Sequence, residues 1–182
     1  FLQQRILGPL GMVDTAFHVP AGKASRFAAN YMRMPDKRLR LSDDPQNSPY
    51  LQDPVFKSGG GGLVSSARDY DRFLAMLMGG GIFQGTTVLP PHAVTLGMSN
   101  LLPAGTDMGG YFFAGSGDGF GAGGRVVLSG NDKGAYGWMG AAGTLGVVNR
   151  DRQLRVTGML NRMDNMALPE QLPDAVNRDL TA

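Results

Sequence analysis

Cysteine is absent from the 182 residues, which excludes disulfides, a thiol nucleophile and thiolate metal sites but leaves the compartment open. Histidine is nearly absent. His18 and His92 stand far apart in loop or turn contexts, so neither a histidine metal site nor a Ser-His-Asp triad has support, and no metal or cofactor is expected. No run of about 18 apolar residues occurs, which argues against a membrane span. The formal net charge is only +2, and its Lys and Arg are scattered rather than striped. Nucleic acid is therefore a poor candidate partner, and the pI near 9.1 carries little weight. Gly-x-Ser-x-Gly is missing as well, and with it the nucleophile elbow of the α/β-hydrolases. A soluble protein is expected, and the sequence leaves its location, cytoplasmic or periplasmic, unknown.

What is present begins with enough apolar residues, 42% of the chain, for one domain with a real core. Phe1-Leu-Gln-Gln-Arg-Ile-Leu7 has helical spacing with no cap and no Met before it, so a helix is read as already under way at residue 1. The expectation is a fragment, or a processed C-terminal part, of something longer. Gly8-Pro9 is expected to break that helix, and Leu10 to Phe17 to form a compact turn. Residues 21–57 hold four of the eleven prolines and no sustained period, which predicts a long loop with short extended pieces. A strand is expected to begin within Arg26 to Tyr31.

Ser66 and Asp69 have the spacing of a capping box. Tyr70, Phe73, Leu74, Leu77 and Met78 then form one apolar stripe, and Gly79-Gly80-Gly81 ends the predicted helix. The four glycines Gly59 to Gly62 before it invite a phosphate-loop reading, but no Gly-Lys-Ser/Thr follows and Lys57 lies on the wrong side. A second helix is predicted from Pro90 or Pro91 to Met98. Gly119-Phe-Gly-Ala-Gly-Gly124 matches Gly-x-Gly-x-x-Gly by letter, yet a strand rather than a helix follows it, which removes a dinucleotide site. Residues 111–115 and 119–128 read as strands of an antiparallel sheet, and Pro173 to Leu180 as a closing helix.

The sheet reading continues into Tyr136-Gly-Trp-Met-Gly-Ala-Ala-Gly-Thr-Leu-Gly-Val-Val-Asn149. Glycines inside a strand weaken it unless something approaches the backbone, and the visitor is either a substrate or a crossing helix. Asn149 to Gln153 reads as a turn, and Leu154 to Leu160 as the returning strand.

Several phrases together resemble a known family. Ile6-Leu-Gly-Pro-Leu-Gly-Met12 with Asp14-Thr15 and Phe17, then Ser58-Gly-Gly-Gly-Gly-Leu63 with Ser65, then Trp138-Met139-Gly140 before Ala141-Ala142-Gly143-Thr144, are similar to the serine β-lactamase-related hydrolases. The likeness is greatest to the class C β-lactamases and the family VIII esterases. Their third motif is Lys-Thr-Gly or Trp-Gly-Gly; here Met139 stands where the esterases carry Gly, which narrows the expected cleft. The resemblance implies an α+β fold in which an antiparallel sheet is flanked by helices, with a helical and loop subdomain. It implies that residues 1–182 are the C-terminal portion of a single β-lactamase/transpeptidase-like domain. Within it, 1–100 would be the helix and loop part and cleft wall, and 101–182 the sheet and closing helix.

By the same resemblance the activity is a serine hydrolase working through an acyl-enzyme, on a small-molecule ester or amide. The backbone N–H of Ala141 would be one oxyanion donor, and Tyr136, Trp138, Met139 and Gly140 would line the substrate. An apolar Trp138 in place of the lysine favours uncharged esters over β-lactams. No Ser in the chain has Lys three residues on, and no Tyr has Asn two residues on. The nucleophile Ser, its Lys and the assisting Tyr are therefore expected upstream, in the missing N-terminal half of the same enzyme. The alternatives are a β-lactamase, D-aminopeptidase, amide hydrolase or acyltransferase on the same scaffold, or a non-catalytic binding fragment.

Overall fold

A computed structural model describes residues 1–106, 118–163 and 171, 172, 175, 176, 178 and 179. The strand expected at 111–115 lies outside them. So does part of the closing helix expected at Pro173 to Leu180, whose described residues are helical.

The chain divides into two compact units. One comprises 1–11, 71–138 and 146–156, and the other 12–70, 139–145 and 157–182. In the first unit the opening helix does not stop at Gly8-Pro9, which corrects the sequence expectation. A π-helical turn, Gln3–Leu7, runs straight into α1, Gly8–Leu10. The Gly8 N–H donates to the Gln3 carbonyl five residues back, and this widened turn carries Pro9, which has no N–H to give, into the last helical turn. Gly11 closes the helix in the left-handed conformation. The Arg72 Nη1 donates to the carbonyls of Leu10 and Gly11, both at 2.9 Å, satisfying groups that a helix end leaves unpaired.

Helix α2, Ala67–Met78, begins where the capping box placed it, with the Asp69 N–H donating to Ser66 Oγ at 3.3 Å. Leu74 and Leu77 of the predicted stripe are buried, and Met76, outside that stripe, is the most buried residue of the helix. After the glycine stop come a two-stranded hairpin, β3 (Ile82–Phe83) and β4 (Thr86–Thr87), and helix α3, Pro91–Gly97. That hairpin was not anticipated; Gln84-Gly85, both at positive φ, is its only local signal.

In the second unit, residues 21–57 carry more structure than a loop. They hold a 3₁₀ turn at Ala21–Arg26, β1 (Asn30–Arg33), β2 (Leu39–Asp43) and a second 3₁₀ turn at Pro49–Leu51. Strand β1 starts at the end of the stretch expected to open one. It pairs antiparallel with β2 and parallel with β10 (Arg162–Met163), giving the order β10-β1-β2.

The larger sheet has five strands in the order β5-β6-β7-β8-β9, so successive strands are neighbours. They are β5 (Gly119–Phe120), β6 (Arg125–Val126), β7 (Ala135–Met139), β8 (Leu145–Asn149) and β9 (Leu154–Gly158). The single strand expected over 119–128 is instead a tight hairpin, because Gly121 to Gly124 turn the chain and the Gly121 N–H donates to the Gly124 carbonyl at 2.8 Å. The expected hairpin at Asn149 to Gln153 is present, with Gln153 at φ 53°. Leu145 and Val148 of β8 are both buried.

Candidate active site

The candidate residues are consecutive, from Tyr136 to Ala141, and strand β7 with the turn after it positions them. Tyr136 and Trp138 belong to the first unit, and Met139 to Ala141 to the second. Strand β7 comes close to β8 because Gly137 has no side chain. A Cβ there would overlap the Gly146 carbonyl oxygen and come within 2.8 Å of Val147 Cα. The visitor that this interior glycine admits is the next strand of the sheet itself, which was neither of the two anticipated.

The Tyr136 hydroxyl donates to the Ala122 carbonyl at 2.5 Å, tying β7 to the turn between β5 and β6. The ring lies against that turn where a Cβ on Gly124 would stand 2.8 Å from Tyr136 Cε2. This phenol therefore holds structure. Trp138 is 36% exposed. Its ring meets that of Phe120 edge to face, with centroids 5.3 Å apart and planes at 88°. Phe120 was not singled out from the sequence; it sat inside a glycine-rich segment whose turn was read as strand.

After Met139, half-buried, the chain makes a closed turn. The Gly140 N–H donates to the Thr144 carbonyl at 2.9 Å, and the Gly143 N–H to the Gly140 carbonyl at 3.0 Å. Gly143 takes a φ of 76°. Ala141, at the outer corner, is exposed. Among the described residues its N–H has no hydrogen-bond partner. Ala142 behind it accepts from the Arg162 N–H at 3.3 Å, which fixes the back of the turn to β10. The Ala141 N–H is thus a backbone donor, in a turn closed by two hydrogen bonds, that no described residue uses.

A second polar cluster lies in the second unit around Asp69, which is 1% exposed. Its Oδ2 accepts from the Asp14 N–H at 2.6 Å and from Thr15 Oγ1 at 3.0 Å, and Thr15 Oγ1 also lies 2.9 Å from Ser65 Oγ. The carboxylate thus turns outward to the Asp14-Thr15 phrase rather than back along its own helix as a capping box has it. Asp14 in turn binds Arg26 through both guanidinium nitrogens, at 3.0 and 2.8 Å, and Lys23 at 2.7 Å. The Arg26 hydrogen bonds first, and then that of Lys23, hold the Asp14 carboxyl well below the usual carboxylate range. His18 lies 3.4 Å from Asp53, which Lys57 also binds. Among the described residues no cluster of His, Asp and Glu could hold a metal, and no helix is long and apolar enough to cross a membrane.

Residues 1–179 match the family model described as Beta-lactamase. Protein Rv1367c of Mycobacterium tuberculosis (strain ATCC 25618 / H37Rv) is 38% identical over 157 residues, which is 79% of this chain and 38% of that protein. Among solved structures, the LovD9 mutant of simvastatin synthase from Aspergillus terreus superposes with a TM-score of 0.77 at 20% identity, over 99% of this chain and 49% of that one. EstCE1, a hydrolase with promiscuous acyltransferase activity, gives 0.75 at 21% identity, over 96% and 49%. The chain therefore spans well under half of the curated relative and about half of these solved chains.

Proposed function

The chain belongs to the beta-lactamase family, with the α+β fold of that family, and from this premise we propose that it is part of a serine hydrolase acting on carboxylic esters through an acyl-enzyme. The observation that carries the reading is Ala141, an exposed residue at the corner of a turn closed by Gly140 and Gly143, whose N–H has no hydrogen-bond partner among the described residues. Such a donor is worth about 3 kcal/mol when it meets the oxygen on which charge develops.

In the mechanism, the serine oxygen attacks the ester carbonyl, its proton passing to the Lys of a Ser-x-x-Lys helix start. The carbonyl oxygen becomes an oxyanion, which the Ala141 N–H stabilises together with the nucleophile's own N–H. The intermediate collapses with loss of the alcohol, which takes up a proton. Water then adds to the acyl-enzyme, and a second collapse frees the acid and restores the serine. Nucleophile, Lys and assisting Tyr are supplied from outside residues 1–182, in the other half of one β-lactamase-like domain. Trp138, with an apolar face, Met139 and Gly140 line the substrate, and Tyr136, expected from the sequence to line it as well, serves by fixing β7 through its bond to Ala122. With Trp138 where the resembling β-lactamases have a lysine, uncharged acyl groups are preferred to β-lactam carboxylates.

The names of the structural neighbours favour a second reading, in which an alcohol rather than water resolves the same acyl-enzyme and the product is a new ester. The test is to label the native full-length protein with a serine-reactive phosphonate and map the adduct by mass spectrometry. A label on the serine of a Ser-x-x-Lys sequence outside residues 1–182 supports the proposal. Labelling nowhere, or on a serine within this chain, refutes it. Product analysis with and without a competing alcohol then separates hydrolysis from transfer.

A further inference from the structure

We infer that the hairpin of β1 and β2 is a docking surface for an anionic lipid membrane; this is independent of the ester-hydrolase reading above. The whole hairpin lies in the second unit. Residues 33–40 hold Arg33, Lys37, Arg38 and Arg40 against the single acid Asp36, a net of +3 where the whole chain carries +2. Lys and Arg are scattered elsewhere; here four of the 17 fall within eight residues. Arg38 lies 3.7 Å from Asp36 in an exposed pair of little strength, and Arg33, Lys37 and Arg40 have no ion-pair partner among the described residues.

Apolar side chains stand between the cations. Leu39 is 58% exposed, Leu41 47% and Met32 43%. The register sets Arg33 opposite Leu39 and Tyr31 opposite Leu41, so a cation and two leucines share one face, and Met32 opposite Arg40 makes the same mixture on the other. Charges on an edge strand guard against pairing with another chain, and β2 is the outermost strand of the order β10-β1-β2. The arginines alone meet that need, which gives no reason for exposed leucines between them. A membrane surface uses both kinds of side chain: cations meet the headgroup charge, and aliphatic groups enter the boundary beneath it, with no spanning helix required. A nucleic acid would use the cations but leave the leucines in water, and the hairpin offers it no exposed aromatic ring to stack on.

The charge is also directed. Two bonds fix the turn at the tip: the Met34 N–H donates to the Arg38 carbonyl at 2.8 Å and the Lys37 N–H to the Met34 carbonyl at 2.9 Å, with Lys37 at φ 68°. The next acids along the chain, Asp43 and Asp44, stand at the opposite end of the hairpin and are occupied. Asp43 accepts from Ser48 Oγ at 2.8 Å, and Asp44 from the Gln46 N–H at 3.0 Å and Asn47 Nδ2 at 2.9 Å. Positive potential therefore gathers toward the tip. Strand β10 pairs with the other side of β1, so the hairpin is held by a third strand.

The test is cosedimentation of the native full-length protein with vesicles of phosphatidylcholine, either alone or with about 30% phosphatidylglycerol. Binding is expected to the anionic vesicles only, and to fall steeply as salt is raised from about 0.1 M to about 0.5 M. Arg33→Ser, Lys37→Ser and Arg40→Ser together should weaken it roughly a hundredfold, about fivefold for each charge. Leu39→Ser with Leu41→Ser should weaken it about tenfold or more with the charge untouched. The two variants change separate side chains, so either decides the matter should the other fail to fold. No binding of the unaltered protein to anionic vesicles, equal binding to both kinds, or binding that either variant leaves unchanged overturns the inference. A need for the cations but not the leucines, with equal binding to single-stranded RNA, identifies a polyanion site and overturns it as well. The phosphonate label reads the hydrolase proposal separately, so the two can fail independently.

Discussion

Asp69 offers the most direct test of the packing argument. Its buried Oδ2 takes both the Asp14 N–H and the Thr15 hydroxyl, joining the start of α2 to a turn more than fifty residues earlier. Removing the carboxylate in Asp69→Ala deletes two hydrogen bonds to a charged group, each worth about 1.5–3 kcal/mol. The Thr15 hydroxyl can still use Ser65 Oγ at 2.9 Å, so its loss lies at the low end, whereas the Asp14 N–H is left without its acceptor. A carboxylate in the first helical turn adds about 0.5 kcal/mol through the helix dipole. The expected destabilisation is about 3 kcal/mol, read from urea unfolding with an unchanged slope. Asp69→Asn discriminates further. Both bonds end on one oxygen, which an amide carbonyl can replace, so the cost should fall to about 1 kcal/mol. A loss below about 0.5 kcal/mol for Asp69→Ala, or equal losses for the two variants, would refute the reasoning.

Three further outcomes are expected. Gly137→Ala should cost about 3 kcal/mol by thermal unfolding, because its Cβ meets backbone of β8 that cannot step aside; Gly60→Ala, where the Cβ meets open space, should be neutral or mildly stabilising. Because the Asp14 carboxyl is depressed in the folded protein, its contribution is complete above the unfolded value near 4 and is lost as pH falls below it; unfolding midpoints measured from pH 6 to 2.5 should show this loss, and Asp14→Asn should flatten it. Ala141→Pro removes one N–H and should lower kcat of the full-length enzyme on esters by about 10²–10³, with Ala141→Gly nearly unaffected; equal activities would show that this amide is not in the oxyanion hole.

Much of this protein was legible from its residues alone, where the signal is local. Ser66 and the stripe through Leu74 and Leu77 fixed α2, because capping and a 3.6-residue period act within one segment. The turn at Asn149 to Gln153 was readable for the same reason, and so was the family, whose phrases are contiguous. Tertiary context decided the rest. Pro9 stayed helical because the turn before it widened, which no propensity predicts. A strand near residues 30–33 was readable, but not its parallel partner at residues 162–163, more than a hundred residues away. Gly137 is glycine because β8 lies close beside it, Asp69 is buried because the Asp14 turn comes to it, and Phe120 meets Trp138 because the hairpin delivers its ring there. Periodicity and capping are written in consecutive residues; which backbone or ring arrives from elsewhere in the chain is settled only when the chain closes on itself.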